Sequence, residues 1–173
     1  MKPSEMADAI NQLTDSYDDI LIQLVSRSIT SFENLAITDI GDSTFNSCKA
    51  LTTISLPNAI SIGGSVFYNC SELTTVSLPK ATSIGNAAFL SCKALTTISL
   101  PNAISISDGV FYNCSELTTI SLPKATSIGD HTFSYSSALT EIHFAKANQA
   151  TIEALSGYSS KFGATNATIY FDL

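Results

Sequence analysis

The sequence predicts a solenoid of five stacked 22-residue turns that carries a parallel β-sheet and a cap at each end. Two observations lead to this. First, many columns recur at a fixed step: Phe45, Phe67, Phe89, Phe111 and Phe133 fall 22 residues apart, as do Leu51, Leu73, Leu95, Leu117 and Leu139. Ile40, Ile62, Ile84, Ile106 and Ile128 keep the same spacing, and so do Ile54, Val76, Ile98, Ile120 and Ile142. Leu56, Leu78, Leu100 and Leu122 follow, with Phe144 in the fifth place, and small residues hold register at Ala59, Ala81, Ala103, Ala125 and Ala147. Second, Cys48–Gly85 and Cys92–Gly129 are 38-residue segments differing only at Gly63/Ser107, Gly64/Asp108, Ser65/Gly109 and Val76/Ile120, so the array looks like a duplicated pair of turns.

Ordering one turn costs more conformational entropy than its own apolar side chains return by burial, so a turn cannot stand alone. Turns therefore stack and share faces. Within L-T-T-I-S-L, Ile54 and Leu56 point inward while Thr53 and Ser55 point outward, the alternation of a one-sided strand. Pro57, Pro79, Pro101 and Pro123 end these strands because proline brings no ladder donor. Gly41, Gly63, Gly85 and Gly129 are expected at tight turns with positive φ. Ser107 breaks that column and Gly109 follows two residues later, so a reshaped turn is expected there.

The residues L-x-x-I-x-L, A-F/V-F-x-x-C and S-I-G resemble the BspA-type leucine-rich repeat family over residues 37–147. Fixed Cys and Pro columns make the likeness specific to that family, and Ala59 and its equivalents stand where many other leucine-rich repeats carry Asn. The resemblance implies a curved, right-handed α/β repeat solenoid, often displayed on a cell surface and used for adhesion to proteins or cells. It implies no catalytic site and no cofactor.

The remaining residues are read as caps. Residues 4–25 supply a helical lid: Met6, Ile10 and Leu13 share one face, Tyr17, Ile20, Leu21 and Leu24 another, and Ser4 is the N-cap. Ile29 and Phe32 lie 22 residues before Leu51 and Ile54, so residues 29–41 read as a degenerate half-turn. At the other end Asn148 is expected to cap a short helix, Gln149–Ser156, that Gly157 stops, and Ala167–Phe171 reads as a closing strand. The outer edge of that strand is a route to self-association. The organisation is thus residues 1–36 as N-terminal cap and half-turn, 37–147 as solenoid and 148–173 as C-terminal cap, in one structural domain.

Composition narrows the partners. The 173 residues are 45% apolar and 13% charged, with a formal net charge of -7 and an estimated pI of 4.5. Such a field repels nucleic acid and anionic membrane surfaces. The opening Met1–Asp8 lacks the apolar stretch of a secretory signal, and no run approaches the roughly 20 apolar residues of a membrane span. The expected location is therefore cytoplasmic or reached by non-classical export, or the cell surface if a signal was removed.

Several columns are candidate sites. The outward strand face carries Thr53, Thr75, Thr97 and Thr119 beside Ser55, Ser77, Ser99 and Ser121, with Glu141 and His143 replacing the pair in the last turn. This uncharged hydroxyl array suits a protein or glycan ligand, and it is equally what soluble strands repeated by duplication produce. Tyr68 and Tyr112 recur in the loops of alternate turns, beside Asn69 and Asn113; such rings either serve as sticky interface residues or pack against the neighbouring turn. Cys48, Cys70, Cys92 and Cys114 form an inward column with Ser136 in the fifth place. Their side chains point the same way, which suits neither disulfides nor tetrahedral metal binding, so structural thiols and no metal are expected. Glu141 and His143 do not make a catalytic set, and no phosphate loop or Ser-His-Asp arrangement occurs. The sequence reading is a protein-interaction or adhesion module without enzymatic activity. The alternative is a structural, self-assembling component of a phage-like or cell-surface particle.

Overall fold

The computed structural model describes residues 29–173, so the helical lid expected over residues 4–25 lies outside the described residues. Each turn lays down a short strand, a corner, a two-residue strand and a return arm built of turns. The first strand of each turn joins one parallel sheet. Its members are β1 (Ser31–Glu33), β3 (Thr53–Ser55), β5 (Thr75–Ser77), β7 (Thr97–Ser99), β9 (Thr119–Leu122) and β11 (Glu141–Phe144), closed by β12 (Thr168–Phe171). The order β1-β3-β5-β7-β9-β11-β12 is that of a solenoid, each strand beside the one from the next turn. Pairing is in the register the periodicity requires: Thr53 faces Thr75, Ile98 faces Ile120 and Glu141 faces Thr119. The half-turn read from Ile29 and Phe32 is present, with Phe32 opposite Ile54.

A second parallel sheet was not anticipated. The two-residue corners, Asp-Ile in the first turn and Ser-Ile in the others, form β2 (Asp39–Ile40), β4 (Ser61–Ile62), β6 (Ser83–Ile84), β8 (Ser105–Ile106) and β10 (Ser127–Ile128), stacked in order. Strands of two residues are too short to show alternation, so the sequence pattern reads as a corner alone. The repeats are strands and turns throughout. The helical residues described here follow the last turn.

The core runs down the middle as columns. Phe67 and Phe89 stack with ring centroids 5.1 Å apart, and Phe45, Phe111 and Phe133 extend the pile at spacings of 5.5, 5.6 and 5.8 Å. Strand spacing sets this rise at about 4.8 Å, near the offset-stacking distance of aromatic rings, so every turn can bury the same ring over the last one. The Leu51, Leu56 and Ile62 columns are buried beside it, as is the Ala59 column up to Ala125; Ala147, in its fifth place, is exposed in the C-terminal cap.

The glycine expectation needs correction. None of Gly41, Gly63, Gly85 and Gly129 has positive φ. The last three are glycines because the preceding turn lies too close for a side chain: a Cβ on Gly85 would sit 2.6 Å from the Gly63 carbonyl carbon, and one on Gly63 would sit 2.8 Å from the Ile40 oxygen. The left-handed positions fall elsewhere, at Ser43, Ser65, Ala87 and Gly109 and again at Ser47, Asn69, Ser91, Asn113 and Tyr135. Nor is the turn at Ser107 reshaped, since Gly109 (φ 64°) takes the same conformation as Ser65 and Ala87 (both 54°).

The C-terminal cap also differs in detail. The helix α1 spans Gln149–Glu153 and follows a 3₁₀ turn, Lys146–Asn148, with a second 3₁₀ segment at Tyr158–Gly163. Asn148 does not cap α1 with its side chain. Its amide instead donates to the Pro123 and Ala125 carbonyls of the last complete turn, at 3.3 and 3.1 Å. That tie to the solenoid satisfies carbonyls left over where the stack ends. The closing strand forms as expected, parallel to β11, with Ile142 opposite Ile169 and Phe144 opposite Phe171. Phe162 and Ile152 are buried and cover the end of the core.

Candidate functional site

The first sheet presents the expected hydroxyl face. Thr75, Ser77, Thr97 and Ser99 are exposed, while Thr53, Ser55, Thr119 and Ser121 are half-buried. Of these hydroxyls, only that of Ser55 has a partner among the described residues, Glu33 at 3.5 Å. The neighbouring threonine column behaves differently. Thr52, Thr74, Thr118 and Thr140 donate their hydroxyls to the carbonyls of Thr30, Thr52, Thr96 and Thr118, at 2.9–3.3 Å. In three of the four Thr-Thr pairs, all but Thr96–Thr97, the first residue therefore ties its turn to the one before, and the second is left for solvent or a ligand.

This face is interrupted once. Between β5 and β7 the ladder keeps only the pair Ser77 with Ser99. Val76 is half-buried where Ile54 and Ile120 are fully buried, and a shallow cleft of about 280 Å³ opens between Thr74–Val76 and Thr97–Ser99. The duplicate step, between β9 and β11, is fully paired.

At the last strand the expected pair Glu141 and His143 acquires partners that the sequence pattern did not reveal. His143 Nδ1 lies 2.9 Å from an Asp172 carboxylate oxygen, its Nε2 lies 3.5 Å from Glu141, and its ring stacks on Tyr170 at 4.9 Å. The hydrogen bond to Asp172, with added attraction from both carboxylates, holds the imidazolium above its ordinary range against the cost of partial burial. Asp172 is 29 positions away and arrives only because β12 lies parallel to β11. The group is a clamp on the closing strand.

The two loop tyrosines separate. Tyr68 stands by itself at the surface, 38% exposed. Tyr112 instead packs at 4.9 Å and 55° against Tyr135, a residue that the periodicity does not single out because its column otherwise holds Ser and Asn. Together they border an open cleft of about 650 Å³ between the last turn and the C-terminal cap.

The cysteine column is buried and unpaired by disulfides. The thiols of Cys70, Cys92 and Cys114 donate to the carbonyls of Phe45, Phe67 and Phe89 at 3.1–3.2 Å, and Ser136 donates to Phe111 at 2.6 Å. Each bond reaches back 25 residues, from one turn to its predecessor. Burial pushes the Cys114 thiol up to about 12 and that of Cys92 well above its ordinary value. These thiols tie turns together. Among the described residues no cluster of His, Cys, Asp or Glu could hold a metal, and no helix is long and apolar enough to cross a membrane.

Comparison with known proteins agrees with the repeat. The BspA type leucine-rich repeat region matches residues 27–160 in six copies. Three solved structures share the fold. A leucine-rich repeat protein of T. pallidum is 20% identical with a TM-score of 0.67, over 83% of this chain and 70% of that one. A leucine-rich repeat protein of Bacteroides ovatus is 21% identical with a TM-score of 0.62, over 84% and 43%. A leucine-rich cell surface protein of Faecalibacterium prausnitzii is 28% identical with a TM-score of 0.53, over 67% and 39%. The chain thus spans less than half the length of the last two. No curated protein matches it.

Proposed function

We propose that this chain, which belongs to the BspA-type leucine-rich repeat family, is an interaction or adhesion module that binds a protein or glycoprotein through the strand face running from Thr53 to His143. One observation carries the reading. The outward hydroxyls of Thr75, Ser77, Thr97, Ser99, Thr119 and Ser121 stand on one face of a single sheet, in full register between β7 and β9 and joined through Ser77 with Ser99 between β5 and β7, and have no hydrogen-bond partner among the described residues. Such groups are pre-aligned donors and acceptors that lose little entropy on binding. The family is typically non-enzymatic, and a cell-surface relative of the same fold supports work outside the cell.

The test uses Thr97→Lys with Thr119→Lys, which sets two ammonium groups on adjacent strands in the middle of the face. Binding to a panel of immobilised glycoproteins, native and deglycosylated, is expected to fall at least tenfold. Undiminished binding clears the strand face.

A second reading rests on β12. It is the last strand of the sheet and pairs only with β11 among the described residues. An open edge can add a strand from another copy, as a structural, self-assembling component requires. Light scattering at high concentration separates the two, because a persistent monomer sinks this second reading.

A further inference from the structure

We infer that the cleft between Tyr112 and Tyr135 is a binding site for a neutral pyranose residue of a glycan, distinct from the strand face. The cleft holds about 650 Å³, within the range of small-ligand sites, and lies where the last return arm meets the C-terminal cap. Its lining is unusual for so acidic a chain: no carboxylate, ammonium or guanidinium is among the described residues that border it, so a charged ligand would find no fixed counter-charge among them.

What the cleft does offer is two phenol rings meeting at 55° and a rim of His131, Ser137, Thr165 and Asn166, all four exposed. The Ser137, Thr165 and Asn166 side chains have no partner among the described residues. A pyranose matches this pairing. Its axial C–H groups carry partial positive charge toward the electron-rich ring face, and its hydroxyls exchange hydrogen bonds with amide, hydroxyl and imidazole groups.

A second observation comes from the backbone. Tyr135 sits at φ 62°, a left-handed conformation disfavoured for a bulky residue. Ser47, Asn69, Ser91 and Asn113 fill the equivalent position in the other turns, at φ 57–61°. Asn suits that conformation and Tyr does not, yet here the ring is 70% exposed and its packing partner is Tyr112. The fold gains little from Tyr at this position. Tyr135 breaks this local rule for a single ring contact on an exposed side chain, and such a departure points to a functional position.

The experiment is saturation-transfer NMR with the methyl glycosides of glucose, galactose, mannose and fucose as probes. Transfer to the ring C–H protons of at least one glycoside is expected, together with a shift of the Tyr112 and Tyr135 ring signals. Tyr135→Asn installs the residue the repeat itself uses. It is expected to keep or raise the unfolding midpoint while glycoside binding falls at least tenfold. Leu35→Ala, an exposed position in the first turn described and outside the cleft, is expected to leave glycoside binding unchanged. The inference is overturned if no glycoside shows transfer, if Tyr135→Asn binds as well as the native chain, or if only a proline-rich peptide occupies the cleft.

Discussion

The rings of Phe67 and Phe89 lie 5.1 Å apart with planes 18° from parallel, and this contact repeats down the length of the molecule. Phe89 is stacked on both sides, by Phe67 and by Phe111. Replacing it with Ala leaves a cavity that neither neighbour can fill without leaving its own turn. Phe89→Ala is expected to cost about 3–5 kcal/mol, read as a lower midpoint in urea unfolding. A change below about 1 kcal/mol would show that the column is not the spine of the fold.

Glycines of one column divide by what lies beneath them. A Cβ on Gly85 meets the Gly63 backbone at 2.6 Å, whereas one on Gly41, in the first turn described, meets nothing among the described residues nearer than Thr44 Oγ1 at 3.9 Å. Gly85→Ala is therefore expected to destabilise by about 1–3 kcal/mol, because backbone must move. Gly41→Ala should be neutral or stabilise by up to about 1 kcal/mol through the unfolded chain. Paired thermal melts check both, and equal effects would show that stacking contact is not what selects glycine.

The thiol column predicts silence followed by full reactivity. With Cys48, Cys70, Cys92 and Cys114 buried, an aromatic disulfide reagent is expected to titrate none of the four at pH 8 in the folded protein and all of them after unfolding. Rapid labelling without denaturant would contradict the burial. Cys114→Ser should be tolerated within about 1.5 kcal/mol, since Ser136 already makes the equivalent bond with a hydroxyl.

His143 links stability to pH. Its folded-state pKa lies above the ordinary 6.5 because Asp172, and then Glu141, favour the imidazolium. A raised pKa means stabilisation that is complete below about 6.5 and fades as pH rises through the folded value. Melting temperature is expected to fall across that interval in the native chain and to fall less in Asp172→Asn. Identical pH profiles would remove the clamp. The effect should be modest, as Asp172 is half exposed and solvent screens the pair.

The spacing of Phe, Leu, Ile and Cys was enough to establish a solenoid, its 22-residue register and the outward direction of Thr53, Ser77 or Thr119, because a period repeated in one dimension converts directly into neighbours in space. The same logic places Phe32 opposite Ile54, while the closing strand, expected over Ala167–Phe171, is read from its local composition. It failed where a position's role depends on the turn above or below. Gly85 is small to admit its neighbour's backbone, and Asn148 reaches back to the solenoid, whereas both had been read from purely local turn and helix chemistry. Asp172 beside His143, Tyr135 beside Tyr112 and the opening between β5 and β7 have no period to announce them. Contacts made where the array ends or is interrupted arise from three-dimensional packing, because there no identical neighbour exists for a repeat to encode.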